Sequence, residues 1–186
     1  IGIPFCPTTC LYCSFTSFPI SAWKERTAAY LDALEKEMAY VADACRDKIL
    51  DTVYIGGGTP TSLSAEELDR LLSAVKKTFD FSAVQEFTVE AGRADSITEE
   101  KLRVLYRHGV TRISVNPQTM KEETLRFIGR RHTVDQVYDA FHLAREIGFD
   151  NINMDIILGL PGEGEDDVKA TIEAIEKLSP DALTVH

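Results

Sequence analysis

Short β-branched segments alternate with longer stretches of helical spacing along the whole chain. This alternation restricts the possible folds more than any other feature of the sequence. Strand character is found at residues 1–5, 52–55, 86–90, 112–115, 152–158 and 182–186. Apolar residues at helical spacing mark stretches at about 22–47, from 64 onward, and at about 98–108, 120–128, 133–147 and 164–178. Strands that alternate with helices are typical of βα units around a parallel sheet.

The number of βα units and the chain length together predict an α/β fold of one particular kind. Six units in 186 residues are too few for a complete eightfold barrel, which takes roughly 250 residues. We therefore expect a six-unit (βα)6 partial TIM barrel with a parallel sheet, and a doubly wound sheet is the alternative. Both ends of the sequence have the character of interrupted strands, so we expect residues 1–186 to be one core domain of a longer chain.

Local signals mark the ends and the buried faces of several helices. Ser64 is followed three residues later by Glu67, which is the pattern of a capping box. Gly109 and Gly148 stand where the glycines that end helices are expected. The first helical stretch predicts a buried face that consists of Leu31, Leu34, Met38 and Val41.

Charge and hydropathy exclude several classes of protein. The chain has 20 Lys and Arg residues against 30 Asp and Glu residues, for a formal net charge of −10. Because binding to phosphate backbones needs clustered basic residues, we expect no nucleic-acid partner. No apolar run approaches the roughly 20 residues that span a bilayer, and no segment resembles a signal peptide. We therefore expect a cytoplasmic protein without a membrane span.

Three of the four cysteines, Cys6, Cys10 and Cys13, form the pattern C-x3-C-x2-C. A chain of this size and class does not need a disulfide framework, and a structural zinc site needs a fourth ligand that no nearby residue supplies. Iron–sulfur clusters usually have four cysteine ligands, so three on one loop predict a cluster with one iron open to a small molecule. A zinc or thiol-redox site is the alternative. Cys45, in a helical stretch, is interpreted as a small buried hydrophobic residue.

Glycine-rich or polar residues follow the predicted strands at what should be one edge of the sheet. The second strand leads into Gly56–Thr59, which lacks the spacing of a phosphate loop or of a dinucleotide fingerprint. Three glycines let a backbone approach a ligand closely, and a tight turn is the alternative. Glu90 and Asp155 are acidic residues in apolar strands. Such residues suit hydrogen bonds to ribose hydroxyls, and an ion pair with a nearby arginine is the alternative.

Arg130 and Arg131 lie just beyond the helix that follows the fourth strand. A guanidinium group suits bidentate recognition of a carboxylate. The alternative for either arginine is a solvated helix end.

Six motifs in order along the chain resemble those of one known family. The segment CPTTCLYC at 6–13, preceded by Ile3-Pro4-Phe5, resembles the cluster motif of the radical S-adenosylmethionine (radical SAM) superfamily. The motifs that follow are GGGTPT at 56–61, FTVEA at 87–91, RISVNPQ at 112–118, GRRH at 129–132 and DIILGLP at 155–161. Together they resemble the oxygen-independent coproporphyrinogen III oxidase family, which includes HemN and the related haem chaperones (HemW). Within it the chain is similar to the HemZ branch, the coproporphyrinogen dehydrogenases.

The resemblance implies a fold, two cofactors and an activity. The fold would be the radical SAM core, and Cys6, Cys10 and Cys13 would ligate a [4Fe–4S] cluster whose remaining iron is chelated by SAM. One electron from the cluster would cleave SAM to methionine and a 5′-deoxyadenosyl radical. The radical would start the oxidative decarboxylation of propionate side chains of coproporphyrinogen III to vinyl groups, in haem biosynthesis. The implied partners are this tetrapyrrole and a low-potential electron donor such as a flavodoxin or ferredoxin.

The resemblance also leaves alternatives for function and assigns cofactor contacts. The chain would otherwise be a haem chaperone that binds and delivers haem, or a radical SAM enzyme with another substrate. Tyr12 would pack near the adenine, while the methionine end of SAM would be lined by Gly57, Gly58 and Thr59. Glu90 would lie near SAM, and the residues around a second SAM would be Gln118, Arg130 and Asp155. The chain departs from the commoner pattern at Gly2, at Gly92-Arg93 and at Asn116-Pro117, and these departures fit the HemZ-like branch.

Overall fold

The computed structural model describes residues 1–186 and contains eight strands. In chain order they are β1 (Gly2–Ile3), β2 (Phe5–Cys6), β3 (Phe18–Pro19), β4 (Thr52–Gly57), β5 (Glu86–Glu90), β6 (Arg112–Ser114), β7 (Ile152–Ile156) and β8 (Ala182–Val185). Six of them form one parallel sheet in the order β1-β4-β5-β6-β7-β8, and β2 pairs with β3 separately. A doubly wound sheet reverses its strand order at a switch point, whereas this order follows the chain throughout. The predicted partial barrel is confirmed, and the doubly wound alternative is wrong.

Seven α-helices connect and cover the strands. They are α1 (Ile20–Trp23), α2 (Thr27–Ala44), α3 (Ala65–Thr78), α4 (Glu99–Arg107), α5 (Glu122–Phe127), α6 (Val134–Ile147) and α7 (Glu165–Leu178). The capping box at the start of α3 is confirmed, because the backbone N–H of Glu67 donates to Ser64 Oγ over 3.2 Å and the N–H of Ser64 donates to Glu67 Oε2 over 2.8 Å. Gly109 and Gly148 follow α4 and α6 with φ of 73° and 117°, as their positions predict.

The strands alternate between an apolar outer face and a polar inner face, as the register of the sheet requires. The outer face packs against the helices in a core of 32 buried residues, and its members include Val53, Ile55, Phe87, Val89, Ile113 and Met154. The inner face carries Tyr54, Thr88, Glu90, Ser114, Asn153 and Asp155. The acidic residues in apolar strands therefore belong to the polar interior of the barrel.

The predicted first strand and first helix are both divided in the structure. The strand is interrupted at Pro4, because proline has no N–H to donate to the ladder, and β2 then pairs with β3 instead of continuing into the main sheet. The helical stretch consists of α1, a 3-10 turn at Lys24–Arg26 and α2.

The interpretation of Cys45 as a buried residue is wrong, since its side chain is exposed. Leu31, Leu34 and Met38 are buried as predicted, but Val41 is 42% exposed. The apolar face of α2 continues to its end, where Val41 and Cys45 border an open hollow beside Phe79 that no element covers. No helix of the structure has both the length and the apolar character needed to cross a membrane.

Candidate functional site

A cavity of about 300 Å³ lies at the carboxyl ends of the parallel strands. This is the edge at which ligands bind in α/β barrels. Every residue that the sequence assigned to the cluster or to its cofactor lines this one cavity: Cys6, Cys10, Tyr12, Cys13, Gly57, Gly58, Thr59, Glu90, Gln118, Arg130 and Asp155. Cys6 and Asp155 are 149 positions apart in the sequence, and the fold brings both of them to this cavity.

The cysteine loop (Cys6–Cys13) begins at β2 and is hydrogen-bonded to the turn that follows α5. The N–H of Leu11 donates to the carbonyl of Ile128 over 3.0 Å, and the Thr8 hydroxyl donates to the carbonyl of Gly129 over 2.7 Å. Gly129 has φ of 85°, and a Cβ added to it would lie 2.8 Å from the carbonyl oxygen of Thr9. A glycine at this position therefore lets the loop dock closely.

The donor atoms of the loop are free thiols that differ in exposure. Cys6 is buried, Cys10 and Cys13 are partly buried, and none of them forms a disulfide. No group of three or more His, Cys, Asp or Glu side chains is gathered closely enough to hold a single metal ion. Three free thiols on one loop that faces a polar cavity are the donor set of an iron–sulfur cluster with one iron not ligated by protein.

The glycine run (Gly56–Gly58) packs closely against the backbone of Ile3–Cys6 and forms part of the cavity wall. The N–H of Gly58 donates to the carbonyl of Ile3 over 2.7 Å, and a Cβ on Gly58 would lie 2.7 Å from the carbonyl oxygen of Phe5 and 3.0 Å from Cys6 Sγ. Gly57 adopts φ of 111°. The Thr59 hydroxyl oxygen lies 3.4 Å from Cys6 Sγ, so this loop also contacts one of the thiols.

Glu90 is held by Tyr54 and by the backbone of the glycine run, and not by an arginine. Its Oε1 accepts from the Tyr54 hydroxyl over 2.5 Å, and its Oε2 accepts from the Gly57 N–H over 3.2 Å. Burial raises the pKa of Glu90 and the charge of Asp155 adds to this effect, whereas the hydrogen bonds from Tyr54 and Gly57 oppose it. The alternative of an ion pair with an arginine is therefore wrong for Glu90.

Tyr54 was missed by the sequence analysis, although strand alternation contains the signal for it. Counting in steps of two along β4 places Tyr54 on the inner face, beside β5. Its phenol is the donor that orients the Glu90 carboxylate towards the cavity.

Asp155 is oriented by two amides. Its Oδ2 accepts from Asn116 Nδ2 over 2.9 Å, and its Oδ1 accepts from Asn153 Nδ2 over 2.7 Å. Nε2 of His186, to which the sequence assigned no chemistry, lies 3.9 Å from Asp155 Oδ2. Gln118 has φ of 68°, and its buried Oε1 has no hydrogen-bond partner. These polar groups together form the far wall of the cavity.

Arg130 is buried, and the alternative of a solvated helix end is wrong for it, whereas Arg131 is exposed. Nη1 of Arg130 donates to the carbonyls of Gly92 (3.2 Å) and Asn116 (2.5 Å), and Nη2 of Arg130 donates to the Tyr12 hydroxyl over 3.0 Å. Burial raises the pKa of Tyr12 to about 12 against the opposing charge of Arg130, so the phenol is neutral. The buried Nε of Arg130 has no partner and remains a donor for a ligand.

Arg93 is a second buried arginine of the cavity, and the sequence analysis noted it only as a departure from the family pattern. Only 2% of the residue is exposed. Its Nη1 lies 3.5 Å from Cys10 Sγ, and the fork of Nε and Nη2 donates to the two carboxylate oxygens of Asp95 over 3.0 and 2.8 Å. Burial would raise the pKa of Asp95, but His132 and Arg93 lower it to well below its usual range.

An open parallel barrel with three free cysteines on the loop after its first strand defines a class of protein. The cavity holds the donors for an iron–sulfur cluster, and the unpartnered polar groups of Arg130 and Gln118 are suited to a polar ligand beside it. The model of the radical SAM superfamily matches residues 1–175, and the chain belongs to this superfamily. Its cofactors are a [4Fe–4S] cluster and SAM.

The chain is similar to three relatives in particular. It is 48% identical over 189 residues to the oxygen-independent coproporphyrinogen-III oxidase-like protein HemZ of Bacillus subtilis. The aligned region covers 100% of this chain and 38% of the relative. It is 38% identical to the heme chaperone HemW of B. subtilis, over 100% of this chain and 48% of that one. The structure of coproporphyrinogen III oxidase (HemN) from Escherichia coli, a radical SAM enzyme, superimposes with a TM-score of 0.90 at 30% identity, over 99% of this chain and 42% of that one. The chain thus spans less than half the length of each.

Proposed function

We propose that this chain is the core of an enzyme that oxidatively decarboxylates propionate side chains of a tetrapyrrole to vinyl groups, as in haem biosynthesis. The proposed substrate is coproporphyrinogen III. The observation that supports this most is the convergence of the three loop thiols with Glu90, Arg130 and Asp155 on one cavity. The similarity to the E. coli oxidase, with a TM-score of 0.90, extends over nearly the whole chain.

We assign the cluster ligands to Cys6, Cys10 and Cys13. These cysteines would hold the cluster beside SAM, and the two cofactors together would supply the radical chemistry that removes a hydrogen atom from the substrate. The protein contributes the binding, orientation and electrostatics of these groups. The tethering of the loop by Leu11 and Thr8 keeps the three thiols on one side of the cavity.

We assign SAM contacts to both walls of the cavity. Tyr12 would contact the adenine, and the backbone of Gly57–Thr59 would accommodate the methionine end because it carries little side-chain bulk. Glu90 would accept hydrogen bonds from SAM, and the Tyr54 hydroxyl holds its carboxylate in place. Gln118, Arg130 and Asp155 would contact a second SAM, for which the unpartnered Nε of Arg130 would offer a charged donor.

The electron in this proposal comes from a low-potential flavodoxin or ferredoxin of the cytoplasm. The balance of the reaction also needs a one-electron acceptor. Each propionate would give up one hydrogen atom to the bound cofactor, one electron to the acceptor and CO2 from its carboxylate, which leaves the vinyl group.

A haem chaperone is the second candidate function. The observation in its favour is the 38% identity to the heme chaperone HemW of B. subtilis, which exceeds the 30% identity to the E. coli oxidase. A chaperone of this kind would retain haem and leave coproporphyrinogen III unchanged.

The test uses the full-length protein, reconstituted anaerobically with iron and sulfide. It is incubated with SAM, dithionite and coproporphyrinogen III, and 5′-deoxyadenosine and the porphyrin are followed by mass spectrometry. We expect the nucleoside together with products lighter by one or two losses of CO2 and two hydrogens. Formation of the nucleoside without a change in the porphyrin would contradict the proposed activity, and co-purification of added haem would then support the chaperone.

Two cysteine variants test the ligand assignment. Cys10→Ala should fold but fail to develop the brown absorbance of the cluster, whereas Cys45→Ala should develop it fully, because Cys45 is exposed and outside the cavity. Equal absorbance in the two variants would overturn the assignment of Cys10.

A further inference from the structure

The guanidinium of Arg93 is directed at one of the proposed cluster ligands. Its Nη1 lies 3.5 Å from Cys10 Sγ and 3.3 Å from the carbonyl oxygen of Thr8. Its Nη2 donates to the Thr8 hydroxyl over 3.0 Å. A single buried side chain therefore contacts both the backbone of the cysteine loop and a ligand sulfur.

Asp95 holds Arg93 in this orientation. The carboxylate accepts from Nε and from Nη2, which leaves Nη1 and the second hydrogen of Nη2 for the loop. Planar arginine–carboxylate pairs of this geometry are strong and directional. His132 lies behind Asp95, with its Nδ1 3.9 Å from Asp95 Oδ1, and burial lowers the pKa of His132. The pair is thus a fixed dipole whose positive end faces Cys10.

The charges of Arg93 and of the cluster determine the direction in which Arg93 shifts the reduction potential. Reduction of a [4Fe–4S]2+ cluster adds one electron to a group whose three thiolates already make it negative. A buried positive charge next to a ligand sulfur stabilises the reduced form more than the oxidised form, because the effective dielectric constant is low there. Hydrogen bonds to the sulfurs are among the factors that set the potential of such clusters. Asp95 offsets part of the effect from a greater distance.

We propose that Arg93 is a positioning residue that acts through Cys10: it docks the cysteine loop and raises the reduction potential of the cluster, while Asp95 orients it and moderates its charge. The inference rests on the assignment of Cys10 as a ligand but not on the identity of the tetrapyrrole. It gives a role to a position at which the chain departs from the commoner family pattern.

The experiment measures the reduction potential of the reconstituted full-length protein without SAM, by EPR at a series of potentials set with dithionite. Arg93→Gln should favour the oxidised cluster by about tenfold, which lowers the potential by about 59 mV for a one-electron couple. Asp95→Asn should shift the potential in the opposite direction, because it removes the negative end of the dipole. Arg93→Lys keeps the charge and should restore most of the wild-type value.

Arg103→Gln is the matched control for the loss of a charge. Arg103 lies on α4 with its side chain 63% exposed, paired with Glu99, so its substitution should leave the potential unchanged. A purely structural role of Arg93 would lower the cluster content in both the Arg93 and Asp95 variants without shifts of opposite sign.

An unchanged potential in a fully loaded Arg93→Gln protein would overturn the proposal, as would shifts of the same sign in Arg93→Gln and Asp95→Asn. If Arg93→Gln does not load a cluster, Asp95→Asn decides: a higher potential supports the proposal and an unchanged or lower one refutes it. An error in the ligand assignment is detected separately, because Cys10→Ala would then retain the cluster.

Discussion

Gly58→Ala perturbs the contact between the glycine run and the cysteine loop by a single methyl group. A Cβ at this position would lie 2.7 Å from the carbonyl oxygen of Phe5 and 3.0 Å from both the carbonyl oxygen of Ile3 and Cys6 Sγ. The two carbonyls cannot move away freely, since each accepts a 2.7 Å hydrogen bond, from the N–H of Thr59 and of Gly58 respectively. The methyl group therefore forces apart the strands that carry the loop.

The expected change in the free energy of unfolding of Gly58→Ala is the balance of two effects. Overpacking a well-packed site costs about 1–3 kcal/mol, and we expect a value of about 3 kcal/mol because two of the three contacts are backbone atoms. Replacement of glycine lowers the entropy of the unfolded chain, which returns about 0.4–1 kcal/mol. The net loss is about 2 kcal/mol, which corresponds to a fall in Tm of about 4–8 °C for a domain of this size.

The assay is thermal unfolding of the anaerobic apoprotein, followed by circular dichroism. Gly2→Ala is the matched control, because a Cβ at Gly2 meets no atom within 4 Å; it should be neutral or stabilise by up to about 1 kcal/mol. In the reconstituted protein, Gly58→Ala should also hold less cluster than Gly2→Ala, because Cys6 is displaced. A Gly58→Ala protein that unfolds within 1 °C of the wild type would show that the close contact does not constrain the loop.

Three further predictions concern the polar groups and the free thiols. Asp95→Asn should lower the free energy of unfolding, measured with urea at pH 7, by about 1–3 kcal/mol. This difference should shrink as the pH falls below about 4, because the lowered pKa of Asp95 stabilises the fold only where its carboxylate is ionised. A constant difference down to pH 3 would contradict the pairing with Arg93. Arg130→Met should destabilise more than Tyr12→Phe in the same assay, since it leaves two strand-end carbonyls without a donor, and the reverse order would refute this role. Maleimide labelling of the loaded protein, read by peptide mass spectrometry, should modify the exposed Cys45 and leave the loop peptide unlabelled.

Much of the fold and the membership of the site follow from local patterns in the sequence. Hydrophobic periodicity identifies strands and helices because each element must bury one face, and parallel strands must place their carboxyl ends at one edge. The residues at or just beyond those strand ends therefore had to meet, and the loop cysteines, Glu90, Gln118 and Asp155 share one cavity. The cysteine spacing indicates the chemistry because ligands on one short loop remain neighbours in any fold.

The environment of individual side chains depended on contacts between distant parts of the chain. The burial of Arg93 and Arg130 results from the docking of the cysteine loop against the segments after β5 and α5, and no local pattern encodes that packing. Cys45 is exposed because no element covers the end of α2. Periodicity reports which face of an element is apolar, whereas the tertiary structure decides whether another element covers that face and which charges lie next to a ligand.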